Sequence, residues 1–296
     1  MKLGVLGLGR RGLFRIEQLR QTPAATVAGY DPVETVRLAA QGLVQTCSAS
    51  VIDFWQSGPF DGILIAVPAA EQGRALRDAI GRSVPVAVDS SQLAADELVD
   101  VLRDFPNSAK RLLMLAATNL PDPRATAAIG ETQRARYVSR EYGLPGENLD
   151  GQLANVLLQL RSVMPAPTQV ICQRSLNAAG DVLKLSIGLR DAAACTAEIE
   201  LQRDSLVSER GGWTIEGTEG TLCRQRIYRR LADGEITDEP VSLPAVAATR
   251  PWWELLQDPR ACQDSVAAAE WLSRILAAVS NAAHSGAWTS VPGLGA

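Results

Sequence analysis

The run Lys2-Leu3-Gly4-Val5-Leu6-Gly7-Leu8-Gly9-Arg10-Arg11-Gly12-Leu13-Phe14-Arg15-Ile16 decides how this chain folds. Lys2 to Leu6 read as a strand, and Leu13, Ile16 and Leu19 recur at helical spacing over 11–21. Between them lies G-x-G-x-x-G, a weak signal alone but informative where it follows a strand and opens an amphipathic helix. Gly7 permits the tight turn, Gly9 lets a pyrophosphate approach the backbone, and Gly12 allows close helix-to-strand packing. The free amides of the helix N-terminus then face the anion. A second strand over 26–30 ends in Tyr30-Asp31, with Asp31 nineteen residues after Gly12. There a carboxylate accepts hydrogen bonds from the adenosine ribose hydroxyls and repels a 2′-phosphate, which favours NAD. Arg10 or Arg11 can still offer a guanidinium to NADP, and a glycine-rich turn serving only packing is the alternative to a ligand site.

Outward from this motif, apolar strands at 62–67, 84–88 and 111–117 alternate with helical stretches at 70–80 and about 94–104. The pattern predicts an α/β unit: a parallel, doubly wound Rossmann sheet with helices on both faces. Punctuation changes at Asn119-Leu120-Pro121-Asp122-Pro123, so the domains are expected at 1–118 and 119–296. Beyond that point long alternating strands take over. Leu183, Leu185, Ile187 and Leu189 share one face of 182–190, and Cys195, Ala197, Ile199 and Leu201 share one face of 195–202. This predicts a C-terminal α+β domain with a large, open, mainly antiparallel sheet, whose polar face is either solvated or paired with another subunit. Val266, Leu272, Ile275, Leu276 and Val279 mark a packing helix over 264–283, stopped at Gly286.

Composition narrows the function classes. A net charge of −4 gives no basic footprint, so nucleic acid is not an expected partner. Five scattered cysteines, with no C-x-x-C pair and one histidine in the whole chain, leave no zinc set; buried reduced thiols and no metal are expected. No apolar run spans a bilayer and the chain enters its first strand without a signal-type segment, which predicts a cytoplasmic protein.

On its motifs the chain resembles the Gfo/Idh/MocA family of glucose-fructose oxidoreductases and inositol dehydrogenases. The matching pieces are Gly7–Gly12 with Asp31, Asp61-Gly62-Ile63-Leu64-Ile65-Ala66-Val67-Pro68, Arg136-Tyr137-Val138-Ser139-Arg140-Glu141-Tyr142, and the strand-like Trp213-Thr214-Ile215-Glu216-Gly217-Thr218-Glu219-Gly220-Thr221-Leu222. The resemblance implies hydride transfer between a nicotinamide cofactor and a sugar, polyol or other small carbonyl or alcohol substrate. It also implies cofactor contacts from Gly7, Leu8, Gly9, Arg10, Arg11, Gly12, Asp31, Val67, Pro68 and Asp89, and a homo-oligomer formed through the C-terminal sheet.

The usual acid/base set is missing. Where the family has E-K-P this chain reads Val88-Asp89-Ser90-Ser91, and where it has D-x-x-x-H the chain reads Asp150-Gly151-Gln152-Leu153-Ala154. Removing a hydroxyl proton as hydride leaves needs a positioned base, worth about 10² to 10⁴ in rate. Asp89, Tyr142 and Asp150 are the candidates, with Glu141 beside them, all placed near an interdomain cleft by the resemblance. Against Asp89 stands a plain helix-capping role near Leu93 or bonds to Ser90 and Ser91. His284 at a helix end, Lys110 and Lys184 read as solvated groups, and Trp213, Trp252 and Trp253 read as packing. The losses leave a second reading open: a catalytically impaired, cofactor-binding regulatory or structural protein of the same fold.

Overall fold

A computed structural model describes residues 1–19, 25–89, 100–101, 103–105, 111–115, 123–141, 149–164, 166–176, 182–203, 209–223, 226–241 and 252–293. The chain divides into two compact units, Met1–Ala117 with Ala247–Glu270 and Thr118–Val246 with Trp271–Ala296.

In the first unit, strands β1 (Lys2–Leu6), β2 (Thr26–Tyr30), β3 (Thr46–Ser48), β4 (Gly62–Ile65), β5 (Val86–Asp89) and β6 (Leu112–Leu115) form one sheet in the order β3-β2-β1-β4-β5-β6. Every neighbouring pair is parallel. Leu3, Val5, Leu6, Ile63, Leu64 and Ile65 are all fully buried, the near-continuous apolar run of strands covered on both faces. The crossovers carry α1 (Arg10–Leu19), α2 (Glu34–Ala39), α3 (Val51–Gln56) and α4 (Ala69–Gly81). The chain winds outward from β1 to β3, then jumps back to β4, so strand order reverses between β1 and β4. Ligands of open parallel sheets bind outside the carboxyl ends of the strands at such a point.

The strand expected at 62–67 stops at Ile65, and the one expected at 84–88 runs Val86–Asp89, so Asp89 is itself in the strand. Of the helix expected over 94–104, residues 100–101 and 103–104 are helical, with Val101 fully buried, and the rest lies outside the described residues. The expected boundary at 119–123 also falls there, except Pro123. Two helices return to this unit from the far end of the sequence: α7 (Trp252–Leu256) and the first part of α8 (Pro259–Ser285). Trp252, Trp253 and Leu256 join the core of Leu3, Val5, Leu64, Ala87 and Leu113. The Ser265 hydroxyl accepts the Met114 amide at 3.1 Å, satisfying a donor on edge strand β6.

Among the described residues the second unit carries α5 (Pro123–Ala127), α6 (Leu149–Leu160) and nine strands: β7 (Thr132–Glu141), β8 (Gln169–Leu176), β9 (Val182–Arg190), β10 (Thr196–Arg203), β11 (Glu209–Gly217), β12 (Thr221–Cys223), β13 (Arg226–Arg230), β14 (Ile236–Pro240) and β15 (Thr289–Ser290). Their order is β14-β13-β12-β11-β7-β10-β9-β8-β15, with β7 and β10 parallel and the other pairs antiparallel. The alternation decides the faces. Leu185, Ile187, Leu189, Ala197, Ile199 and Leu201 are buried, α6 packs on β10, and α6 buries Leu153, Ala154, Val156, Leu157 and Leu160. The other face carries Arg134 bonded to Glu198 and Lys184 bonded to Glu200, each at 2.9 Å.

Two details differ from the sequence reading. The run 213–222 is not one strand but the two arms of a hairpin, turning at Thr218-Glu219-Gly220 with Gly217 N–H donating to the Gly220 carbonyl at 2.8 Å. The cysteines are all free, but only Cys172, Cys195 and Cys262 are buried; Cys47 is exposed and Cys223 half-buried. Gly286 does end α8, at φ 66°, its amide donating to the Ala282 carbonyl at 2.8 Å. Among the described residues, no helix is long and apolar enough to cross a membrane.

Candidate functional site

The three glycines of the first loop have three different surroundings. Gly7 adopts φ +90°, and a Cβ there would stand 2.6 Å from the Ala66 carbonyl oxygen. The close approach brings the β4–α4 turn, Ala66-Val67-Pro68, against the loop. Gly12 has even less room: a Cβ would lie 2.0 Å from the Gly7 carbonyl oxygen, so α1 seats directly on the loop backbone. At Gly9 a Cβ would meet nothing within 4 Å. Its side is open, and a ligand can come up to the main chain there.

Helix α1 starts at Arg10, and its first turn closes with the Leu13 amide donating to the Gly9 carbonyl at 3.0 Å. The amides of Arg10, Arg11 and Gly12 precede that bond and have no helical carbonyl to bind. No acidic residue stands in the first turn, and Arg10 and Arg11 are exposed. Orphan amides, the positive end of the helix dipole and two guanidinium groups together suit an anion.

Asp31 lies at the carboxyl end of β2, only 8% exposed. One carboxylate oxygen accepts the Leu8 amide and the other the Val33 amide, each at 2.9 Å. A carboxylate oxygen has two acceptor positions, so each keeps one for a ribose hydroxyl. The bond to Leu8 also fixes the loop. Arg37 donates to the carbonyls of Asp31 and Pro32 at 2.8 and 2.9 Å, holding the turn after β2. Val67 is buried and its carbonyl accepts from Gln72 at 3.5 Å, whereas Pro68 is exposed at the start of α4.

Thus Gly7, Leu8, Gly9, Arg10, Arg11, Gly12, Asp31, Val67 and Pro68 fall at the carboxyl ends of β1, β2 and β4. Asp89 ends β5 on the same edge, but its carboxylate is engaged from inside: Arg15 Nε donates to Oδ2 at 2.9 Å, with the two side chains 6% and 3% exposed. Sequence reading missed Arg15. The available signal was its place in the stripe Gly12-Arg15-Ile16-Leu19, the buried face of α1, where a charged residue demands a partner.

The other acid/base candidates, Glu141, Tyr142 and Asp150, belong to the C-terminal unit. Asp150 is in the first turn of α6, but its side chain, like that of Glu141, lies outside the described residues, as does Tyr142. Ala154 is fully buried in α6. His284 is exposed, its Nδ1 2.7 Å from the Ser280 carbonyl oxygen. Lys110 is outside the described residues. Trp213, Trp252 and Trp253 are buried, and the Trp213 indole donates to Gln159 at 2.8 Å. Among the described residues no group of acidic, histidine or cysteine side chains is placed to hold a metal.

No family model matches the sequence, and no curated protein matches it. Solved structures do. An NAD-binding protein from Listeria innocua superposes with a TM-score of 0.80 at 16% identity, over 99% of this chain and 97% of that one. A myo-inositol dehydrogenase from Corynebacterium glutamicum gives 0.73 at 16% identity over 98% of each chain. An oxidoreductase from Agrobacterium radiobacter, crystallised with NAD+, L-tartaric acid and magnesium, gives 0.74 at 15% identity over 98% of each. From end to end, the chain has the fold of these NAD-binding and dehydrogenase structures.

Proposed function

We propose that the protein is an NAD-dependent oxidoreductase that moves a hydride to or from a sugar, polyol or other small carbonyl or alcohol substrate. The observation that carries this reading is Gly9, the one glycine of the loop with open space beyond it, directly before the orphan amides of Arg10, Arg11 and Gly12. Those amides and the two guanidinium groups hold the pyrophosphate, Val67 and Pro68 border it, and Asp31 keeps an acceptor on each oxygen for the ribose. The nicotinamide, when bound, supplies or accepts the hydride. The full-length fold likeness extends to a levoglucosan dehydrogenase crystallised with NADH and levoglucosan, at 14% identity, which supports the same chemistry.

Proton transfer falls to Tyr142 and Asp150, the groups the family resemblance brings to the substrate. The engaged carboxylate of Asp89 argues for a different part, taken up below. The exposed, ion-paired face of the C-terminal sheet is the surface through which copies of the chain associate. Five free thiols suit a reducing cytoplasm.

Titration with NADH and NADPH, followed by cofactor fluorescence, tests the reading. The folded wild type is expected to bind NADH more tightly than NADPH, and Gly9→Trp to abolish binding without lowering Tm, because the new side chain enters space that only a ligand fills. A polyol and sugar screen with NAD then reads turnover. A folded protein that binds neither cofactor overturns the proposal.

A further inference from the structure

The buried Arg15–Asp89 pair is not accounted for by the cofactor site as described. A charge in the sheet-facing stripe of α1 is costly, because both partners leave water, and a well-packed apolar pair of similar volume is often at least as stable. What an ion pair supplies that an apolar pair does not is direction: a bond of fixed length between named atoms. Here it joins the middle of α1 to the carboxyl end of β5, at 2.9 Å between Arg15 Nε and Asp89 Oδ2. One turn nearer the helix start, Gly12 presses on the Gly7 carbonyl. These two anchors, spaced by a single turn on the same face, fix how α1 lies on the sheet. They thereby fix where the amides of Arg10, Arg11 and Gly12 point.

We infer that Asp89 is a positioning residue for the dinucleotide, acting through Arg15 to hold the amino end of α1 in its binding geometry, and not a group that exchanges protons with the substrate. The inference rests on the cofactor reading above.

The test separates packing from positioning by replacing both partners together. In Arg15→Met/Asp89→Leu the buried charges are gone and the volume is kept, so Tm is expected to return to the wild-type value or above it. The NADH dissociation constant is nevertheless expected to stay raised by about tenfold, since a small misplacement of binding groups is enough for that loss. Arg15→Lys retains the charge on a differently shaped donor and is expected to bind NADH with intermediate affinity at nearly unchanged Tm. If the double variant fails to fold, Arg15→Lys decides: weakened NADH binding upholds the inference, and wild-type binding overturns it. A double variant with both wild-type Tm and wild-type NADH affinity shows a packing role alone and overturns it. So does Asp89→Asn that binds NADH normally but loses turnover, the result expected of a base. A wild type that binds no NADH removes the cofactor reading itself, and is seen before any variant is made.

Discussion

The carboxyl ends of β2 and β5 each present a buried aspartate, and they differ in what holds it. Asp31 is held by two main-chain amides, from Leu8 and Val33, which occupy one acceptor position per oxygen. Asp89 is held by a guanidinium, itself buried. Neutral donors from the loop leave a carboxylate available to a ligand at its outer edge; a buried counter-charge ties it to the scaffold. The same side chain at the same edge of one sheet is thus held in two ways, and partner chemistry separates them.

The sharpest break of this comparison is Asp89→Ala. It takes the Asp89 carboxylate from the buried Arg15 guanidinium, which keeps its bond to Gln18 at 3.4 Å, and is expected to cost about 3 kcal/mol in a urea unfolding series, the low end of the range for breaking a buried pair. Asp31→Ala strands only the Leu8 amide, because Val33 is half exposed and its amide can turn to water. About 2 kcal/mol is expected in the same series, together with weaker NADH binding. If the two costs come out equal, the distinction between charged and neutral partners fails. Arg103→Ala is the control: its pair with Asp100, three residues away on the surface, is more than half exposed on both sides, and about 0.5 kcal/mol or less is expected.

The smallest effect concerns thiols. Burial pushes Cys195 and Cys262 above the ordinary value of 9.0, with Asp191 and Asp258 adding to the rise. The unfolded chain therefore releases these protons first. Their contribution to stability is complete below 9.0 and is lost as pH rises through the higher folded values. Urea midpoints measured on either side of that value are expected to fall towards the alkaline side, and Cys195→Ala/Cys262→Ala to flatten the slope.

Much of this architecture was legible where local pattern and tertiary need agree. The β1–loop–α1 unit declared itself through glycine spacing, and β9 and β10 through strict alternation. The elements α2, β3 and α3 left no such trace, because α2 buries no residue and α3 buries only Phe54, so neither has an apolar stripe to read. The carboxylate of Asp31 was visible because it sits at a fixed sequence distance from the glycines. Arg15 and Asp89 are 74 residues apart, and only the sheet brings them together. The charged residue in the buried stripe of α1 announced that a partner was needed without saying which. The return of Ala247–Glu270 to the first unit was equally silent, since a packing helix does not reveal whose core it packs.

That return has a practical consequence for anyone dissecting the molecule. A fragment cut after the sixth strand of the parallel sheet contains the entire glycine loop, yet lacks Trp252, Trp253 and Leu256, which belong to its core, and the hydroxyl that occupies the Met114 amide. Such a truncation would display a patch of bare aliphatic surface and an unprotected strand edge, a recipe for insoluble expression. Supplying 247–270 as a separate peptide, or splicing it on by circular permutation, is the route to a cofactor-binding module that survives on its own.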